Sequence, residues 1–114
     1  MKATNKIKSL TLVIPCNNEE RAIKISLKIY YDILENLSNN KLITIFEIVI
    51  VNNGSSDKTL EVFLELKKIY KIKIINLKKN FGYTSSYLAG MYHASNEMII
   101  TVSADLHEDP KKIQ

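Results

Sequence analysis

The chain has 114 residues, enough for one small domain with a single hydrophobic core. Apolar residues make up 46% of it and charged residues 25%, which excludes an intrinsically disordered chain, a collagen-like fibre and a disulfide-stapled miniprotein. The net charge of +4 comes from scattered lysines and one arginine, so we expect a solvated basic surface with at most weak attraction to phosphate ligands or anionic lipid, and no nucleic-acid partner.

Targeting and membrane-spanning segments are not evident. The N-terminal lysines precede an apolar run that stops at Pro15, too short for the hydrophobic region of a signal peptide. The longest near-apolar stretch, residues 42–51, contains Glu47 and has about half the length needed to cross a bilayer. The one cysteine, Cys16, cannot form an internal disulfide, so we expect a reduced cytoplasmic setting.

Short β-type runs alternate with longer helical runs, and this pattern predicts the order β-α-β-α-β-α-β. The predicted strands cover residues 10–15, 46–51, 72–77 and 98–102, and the predicted helices begin at Glu19, Asp57 and Tyr83. The side chains expected to face inward are Ala22, Ile25, Ile29, Ile33 and Leu37 in the first helix, Leu60, Phe63, Leu66 and Tyr70 in the second, and Tyr87, Leu88 and Met91 in the third. Ser55 or Ser56 is expected to cap the second helix.

Apolar strands separated by helices imply a mainly parallel sheet with helices on both faces, a Rossmann-like α/β fold. Ligands of such folds bind beyond the carboxyl ends of the strands. The polar segments 16–20, 52–57 and 103–109 all leave strands at that edge, so we expect the functional residues there.

Amide side chains dominate the first two of these loops. Asn17 and Asn18, followed by acidic residues, could contact a base or ribose, or could simply cap the next helix. Asn52 and Asn53 also suit a nucleobase edge, although Asn-Gly before serines is common in plain strand-to-helix turns. The loop at Gly54 is not a phosphate-binding P-loop, because the Gly-Lys-Ser/Thr step is missing.

Carboxylates dominate the loop after the fourth strand, where three acids and a histidine fall within residues 103–110. Such carboxylates can hold Mg²⁺ or Mn²⁺ on a diphosphate, and Asp105 is the best candidate because it lies nearest the strand end. For His107, a surface position is favoured over a ligand role. Lys79 could reach a phosphate or be solvated, with Phe81 then expected in the core.

Four segments in register resemble the family 2 glycosyltransferases with the GT-A fold, and in particular the polyprenyl-phosphate branch typified by dolichyl-phosphate mannose synthase. The segments are Leu12–Glu20, Glu47–Thr59, Lys79–Gly82 with Ala89-Gly90, and Ala104–Pro110. The resemblance implies a glycosyltransferase of cell-envelope glycan synthesis that takes a UDP- or GDP-linked sugar as donor. It further implies a polyprenyl-phosphate or glycan acceptor, and peripheral association with the inner face of the membrane.

By position, the resemblance implies nucleoside contacts at Pro15, Asn17, Glu19, Asn52 and Asn53, with Asp105 holding Mg²⁺ or Mn²⁺ on the diphosphate. The sequence departs from the family pattern where Asn52 and Asn53 replace a pair that usually includes an Asp, and where Ser103 replaces the first Asp of Asp-x-Asp. The family's domain continues beyond the length of this chain. Residues 1–114 are therefore expected to form a single, truncated donor-binding domain, in which no catalytic base is identified.

Two functions are alternatives to a transferase. A non-catalytic module that binds a nucleotide sugar without transferring it fits the same motifs. A phosphoacceptor receiver domain fits poorly, because the third strand ends at Leu77-Lys78 without a phosphorylatable Asp and no fifth strand is predicted. A truncated sheet would also expose an edge, so we expect self-association.

Overall fold

The computed structural model describes residues 7–54 and 59–104, which form four strands and three helices. Their order is β1 (Ile7–Cys16), α1 (Glu20–Asn39), β2 (Ile43–Asn53), α2 (Thr59–Leu66), β3 (Ile72–Leu77), α3 (Gly82–Tyr92) and β4 (Met98–Thr101). The predicted alternation is confirmed, and β3 has its predicted bounds. β1 and β2 extend beyond their apolar runs because their pairing continues from Ile7–Ile43 to Cys16–Asn52.

The strands form one parallel sheet in the order β3-β2-β1-β4. Val13 in β1 is level with Val49 in β2 and with Thr101 in β4. The chain moves outward from β1 through β2 to β3 and then returns to the other side of β1. This reversal beside β1 is a topological switch point, and ligands of doubly wound folds bind beyond the strand ends near such a point.

Helices cover both faces of the sheet, as predicted. Alternate strand residues point to opposite faces, so Leu12, Ile14, Ile48 and Ile50 pack with residues of α1 and α2 in the larger core cluster. On the other face, Val13, Val49 and Val51 pack with Ala89 of α3. Full burial of one such side chain contributes about 1.5–3 kcal/mol, so the two clusters stabilise the sheet from both faces.

The inward stripe of α1 differs from the predicted one. Ile23, Leu27, Tyr30 and Leu34 are buried against the sheet, whereas Ile25 is exposed. Ile33 is buried at the edge of the stripe, and the other three predicted residues are half-buried. The residues of both sets recur at helical spacing, so the spacing alone does not tell which set faces the sheet.

α2 is described from Thr59, so its predicted start at Asp57 and its serine cap lie outside the described residues. Phe63 and Leu66 are buried and Leu60 is half-buried, as predicted. Tyr70 is also half-buried, but it lies beyond the end of α2 at Leu66, so its predicted place in the helix was wrong.

α3 packs through small residues rather than through the predicted large ones. Tyr87 is half-buried, but Leu88 and Met91 are exposed, so the prediction for these two was wrong. Ser86 and Gly90 face the sheet instead, one helical turn apart. A Cβ atom on Gly90 would lie 2.3 Å from Cγ1 of Val13. The absence of a side chain at this position therefore allows α3 to lie close to β1.

Glu47 anchors the loop between α3 and β4. Its carboxylate accepts hydrogen bonds from the Thr11 hydroxyl (2.7 Å) and the Ser95 backbone amide (2.6 Å). It also forms an ion pair with Lys73 (3.0 Å), whose ammonium in turn donates to the Ser95 hydroxyl and the His93 carbonyl. The Glu47 side chain is 17% exposed. This network ties the loop to β1, β2 and β3.

None of the helices in the described ranges has both the length and the apolar character needed to cross a bilayer.

Candidate functional site

The carboxyl ends of the parallel strands bring together the loops predicted to carry function. β1 ends at Cys16, β2 at Asn53 and β3 at Leu77, and their registers place these ends at one edge of the sheet. β4 ends at Thr101, and the hydrogen bond from the Val102 amide to the Val13 carbonyl extends its pairing with β1 by one residue. The residues after every strand therefore reach the same edge.

A cavity of about 220 Å³ opens at this edge. It is lined by Pro15, Cys16, Asn17, Asn53, Asn80 and Gly82. Ligand pockets typically measure about 300–1,000 Å³, so this cavity suits part of a ligand rather than a whole nucleotide sugar. Its lining combines a proline ring with amide side chains, which suits a flat ring with polar edges.

Asn53 connects the cavity walls. Its carbonyl accepts a hydrogen bond from Nδ2 of Asn17 (2.6 Å). Its own Nδ2 donates to Oδ1 of Asn80 (3.1 Å) and to the carbonyl of Gly82 (3.3 Å), and its Oδ1 accepts from the backbone amide of Phe81 (3.0 Å). One residue of β2 thus holds the loop after β1 and the loop after β3.

Asn52 points to the other face of the sheet, because neighbouring residues of a strand alternate. Its Nδ2 donates to Oδ1 of Asn76 (2.8 Å), the residue level with it in β3. Both side chains border a second, open cavity of about 300 Å³, which is also lined by Gly54, Leu60, Glu61, Leu77 and Lys78. The two adjacent asparagines therefore serve different cavities.

Gly54 allows the loops after β2 and β3 to touch. Its φ angle is +67°, in the left-handed region that favours glycine. A Cβ atom at this position would lie 2.2 Å from the backbone nitrogen of Asn80 and 2.3 Å from the carbonyl carbon of Lys79. The backbone contact fixes how closely the 79–82 loop approaches the end of β2.

The thiol of Cys16 is buried in the cavity wall. Burial, and then the nearby negative charge of Glu19, raise the pKa of Cys16 well above its ordinary value. A neutral thiol is a weak nucleophile. Cys16 is therefore better suited to packing in the cavity wall than to nucleophilic catalysis.

Lys79 and Phe81 form the outer surface of the loop between β3 and α3. The Lys79 ammonium lies 5.3 Å from the centre of the Phe81 ring, a cation–π arrangement. Phe81 is 49% exposed, so the expectation that it belongs to the core was wrong. Phe81 lies in the loop after β3 and belongs to neither core cluster. Its neighbours in sequence, Asn80 and Gly82, line the cavity.

The end of β4 is held from the α1 side, where the Tyr30 hydroxyl donates to the Ser103 carbonyl (2.7 Å). Asp105 and His107 lie outside the described residues. Within residues 7–54 and 59–104, no group of three or more His, Cys, Asp or Glu side chains is placed to hold a metal ion. Ser103 supplies only a neutral hydroxyl. The described residues therefore do not make a metal site, and the predicted metal role of Asp105 stays a prediction.

The structure brings together some of the predicted nucleoside contacts and separates others. Pro15, Asn17 and Asn53 line one cavity, and Asn52 lines the other. Glu19 stands at the N-terminus of α1, where its carbonyl accepts the first helical hydrogen bond and its side chain makes no capping bond. Asn80, which also lines the first cavity, was not predicted as a site residue. An asparagine two residues before a glycine that starts a helix is a local signal for a side-chain hydrogen bond to that glycine's amide.

The family model described as glycosyl transferase family 2 matches residues 11–114. Among curated proteins, an uncharacterised glycosyltransferase of Synechocystis is 36% identical over 105 residues, covering 91% of this chain and 31% of its own length. The undecaprenyl-phosphate 4-deoxy-4-formamido-L-arabinose transferase of Yersinia enterocolitica is 34% identical, covering 99% of this chain and 34% of its own length. The chain thus spans about a third of the length of these relatives.

Solved structures with the same fold include two that hold a nucleotide sugar. A mannosyltransferase of Pyrobaculum calidifontis, in complex with GDP-Man and Mn²⁺, superposes with a TM-score of 0.76 at 20% identity over 90% of this chain and 28% of its own. TarS of S. aureus, residues 1–349 in complex with UDP-GlcNAc, superposes with a TM-score of 0.67 at 21% identity over 85% of this chain and 26% of its own. At these identities the likeness establishes the fold, which is GT-A.

Proposed function

The chain belongs to glycosyl transferase family 2, and we propose that it forms the donor-binding part of an enzyme that transfers a sugar from a nucleoside diphosphate to an acceptor. The observation that carries this proposal is the cavity at the carboxyl edge of the sheet, built by the matched family segments. Pro15, Asn17 and Asn53 come from two separate strand ends and converge there.

The donor in this proposal is a UDP- or GDP-linked sugar. Support comes from proteins of the same fold whose structures hold UDP-GlcNAc and GDP-Man. The size and amide-rich lining of the 220 Å³ cavity suit the nucleoside, leaving the diphosphate and sugar to extend along the sheet edge. Glu19 completes the proposed set of nucleoside contacts, whereas Asn52, which borders the second cavity, is not proposed to contact a nucleoside bound here.

A divalent ion is part of the proposal, with Asp105 as its protein ligand. When bound, Mg²⁺ or Mn²⁺ neutralises the charge that develops on the departing diphosphate. Support comes from the Mn²⁺ in the complex of the Pyrobaculum mannosyltransferase. With Ser103 in place of a second carboxylate, one negative charge fewer attracts the ion, so weaker binding is expected.

The acceptor in this proposal is a polyprenyl phosphate, and the enzyme acts at the inner face of the membrane in cell-envelope glycan synthesis. The support is the acceptor named in the curated transferases of Yersinia enterocolitica and Photorhabdus laumondii, the second of which is 31% identical over 110 residues. The chain spans about a third of these relatives, and in this proposal that part captures the donor.

Calorimetric titration with UDP and with GDP, each with and without Mn²⁺, tests the proposal. We expect one of the two nucleotides to bind, more tightly with Mn²⁺, and the metal dependence to disappear in Asp105→Ala. Asp32→Ala, on the exposed surface of α1, is the matched control and should retain it. A folded chain that binds neither nucleotide would contradict the proposal.

A non-catalytic nucleotide-binding module is the second candidate. It is favoured by neutral residues where the family usually has carboxylates: the pair Asn52 and Asn53, which usually includes at least one Asp, and Ser103 in place of the first Asp of Asp-x-Asp. The two functions differ in turnover of the bound donor. Release of free UDP or GDP from the nucleotide sugar in the presence of a polyprenyl-phosphate acceptor would support the transferase, and tight donor binding without release would support the module.

A further inference from the structure

Asn53 has an unusual place in the proposed donor site, because its polar atoms are committed to the protein. Asn53 is only 5% exposed. Nδ2 carries two hydrogens, and it has two acceptors, Oδ1 of Asn80 and the carbonyl of Gly82. Oδ1 accepts from the Phe81 amide. The contacts leave little of the carboxamide to meet a ligand.

The orientation of both carboxamides is fixed by backbone donors. Oδ1 of Asn53 faces the Phe81 amide, and Oδ1 of Asn80 faces the Gly82 amide at 2.8 Å. A backbone N–H can only donate, so in each side chain the oxygen and not the nitrogen must point to it. Asn80 thereby presents its oxygen to Asn53, and the partner at position 53 must be a donor.

We propose that Asn53 and Asn80 act as a pair that positions the 80–82 loop around the nucleoside, an arrangement we call the Asn53 clasp. Its members are Asn53, Asn80, Phe81 and Gly82. The inference rests on the proposed donor-binding function and gives Asn53 a positioning role rather than a direct base contact. The carbonyl of Asn53 extends the same restraint to Asn17. Loss of the clasp would let the 80–82 loop move away from the end of β2, with which it shares a cavity wall.

The clasp accounts for an asparagine at position 53, in the pair of Asn52 and Asn53 where the family usually has at least one aspartate. A carboxylate could still accept from the Phe81 amide, but it has no hydrogen for Oδ1 of Asn80 or for the carbonyl of Gly82. It would instead place negative charge beside two acceptor oxygens. In this chain the residue at position 53 is therefore coupled to the residue at position 80.

Four variants of the 114-residue chain test the clasp: Asn53→Ala, Asn53→Asp, Asn80→Ala and the double variant Asn53→Ala/Asn80→Ala. Asn36→Ala, on the exposed face of α1, is the control. Two quantities are measured in each: the Kd for the nucleotide that the unaltered chain binds, and the hydrogen-exchange rates of the Phe81 and Gly82 amides. Exchange at the central strand amides identifies any variant whose whole fold is weakened.

We expect each single variant to bind the nucleotide roughly tenfold more weakly, because each one removes hydrogen bonds that hold the loop in place. The double variant should bind no more weakly than the worse single one. Phe81 should exchange faster in Asn53→Ala, and Gly82 faster in Asn80→Ala. The control should match the unaltered chain in both measurements.

Asn53→Asp separates a clasp from a direct contact. If Asn53 met the base as the family's aspartate would, this substitution would retain or strengthen nucleotide binding, and the clasp would be overturned. Weakened binding with unchanged exchange at Phe81 and Gly82 would overturn it as well. If the unaltered chain bound neither nucleotide, the proposed function would fail, and exchange at the two amides would still decide for or against the clasp.

Discussion

At the scale of single residues, Glu47 is a carboxylate whose negative charge is stabilised by three partners. Partial burial acts to raise its pKa, but the hydrogen bonds from the Ser95 amide and the Thr11 hydroxyl, together with Lys73, outweigh it and hold the pKa below the ordinary value. A lowered pKa in the folded state means that the ionised form stabilises the fold. The loop between α3 and β4 depends on that charge.

Glu47→Gln should therefore reduce the free energy of unfolding at neutral pH by about 1.5–3 kcal/mol, the range for hydrogen bonds to a charged group. The stabilisation is complete above the unfolded-state pKa of about 4.3 and is lost as the pH falls through the lower folded-state value. Urea unfolding between neutral and acid pH should show the difference between the two proteins shrinking on acidification. Glu65→Gln, on the exposed face of α2, should follow the unaltered chain throughout. A difference that is constant with pH would contradict this account.

Gly54 and Gly82 offer a matched pair for separating strain from steric contact. Both have positive φ angles, but a Cβ at Gly54 would meet the backbone of Lys79 and Asn80, whereas one at Gly82 would have nothing within 4 Å. Gly82→Ala should cost about 1–2 kcal/mol, from the left-handed conformation alone. Gly54→Ala should cost clearly more, because it also separates two loops. Urea unfolding of both variants measures the difference, and equal losses would rule out the steric part.

At the scale of elements, α3 shows how packing can oppose hydropathy. Ser86 and Gly90 bring the helix backbone close to β1 and β2, and the large apolar residues turn away from the sheet. Gly90→Ala adds a Cβ 2.3 Å from Cγ1 of Val13, so it should destabilise the fold by about 1–3 kcal/mol through overpacking. This outweighs the gain of about 1 kcal/mol that alanine brings to a helix interior.

A double-mutant cycle isolates the contact between Gly90 and Val13. Val13→Ala removes the methyl group that the new Cβ would meet, so Gly90→Ala/Val13→Ala should be less destabilised than the sum of the single variants. Ser85→Ala, on the exposed face of α3, should leave stability near that of the unaltered chain. Additive losses in urea unfolding would show that the helix does not press on Val13.

The same elements show how far the sequence predicts the fold. Strand and helix order follows from hydrophobic period, and β3 was predicted residue by residue because its apolar run coincides with its pairing. The inward faces of α1 and α3 were harder, because Ile25 and Leu88 fit a helical stripe as well as the buried residues do. Glycine and serine carry no hydropathy signal, yet they decide which side of α3 meets the sheet.

The candidate site was predictable in place but not in detail. Parallel strands bring their carboxyl ends to one edge, so the clustering of Pro15, Asn17 and Asn53 follows from element order. Alternation along β2 sends Asn52 and Asn53 to different cavities, which their adjacency in sequence conceals. The bonds from Asn53 to Asn80 join residues 27 positions apart, and only the three-dimensional contact reveals them.

At the scale of the whole molecule, the described chain leaves apolar surface uncovered. β3 and β4 are the edge strands of the sheet formed by residues 7–54 and 59–104. Leu88, Met91 and Tyr92 form an exposed stripe on α3 at spacings of three and four residues, with Tyr92 85% exposed. Contiguous apolar stripes and unpaired sheet edges both favour association between chains.

We therefore expect the 114-residue chain to self-associate through the α3 stripe. Leu88→Lys should shift it towards monomer, because the lysine introduces a charge one helical turn from both Met91 and Tyr92. Leu64→Lys in α2 is the matched control, since Leu64 is 53% exposed against 58% for Leu88. Of its neighbours one turn away, Glu61, Lys67 and Lys68 are charged and Leu60 is half-buried, so Leu64 belongs to no exposed apolar stripe. Sedimentation velocity over a range of concentrations should show a smaller weight-average mass for Leu88→Lys than for the control. A monomeric unaltered chain, or equal masses for the two variants, would mean that the α3 stripe does not drive association.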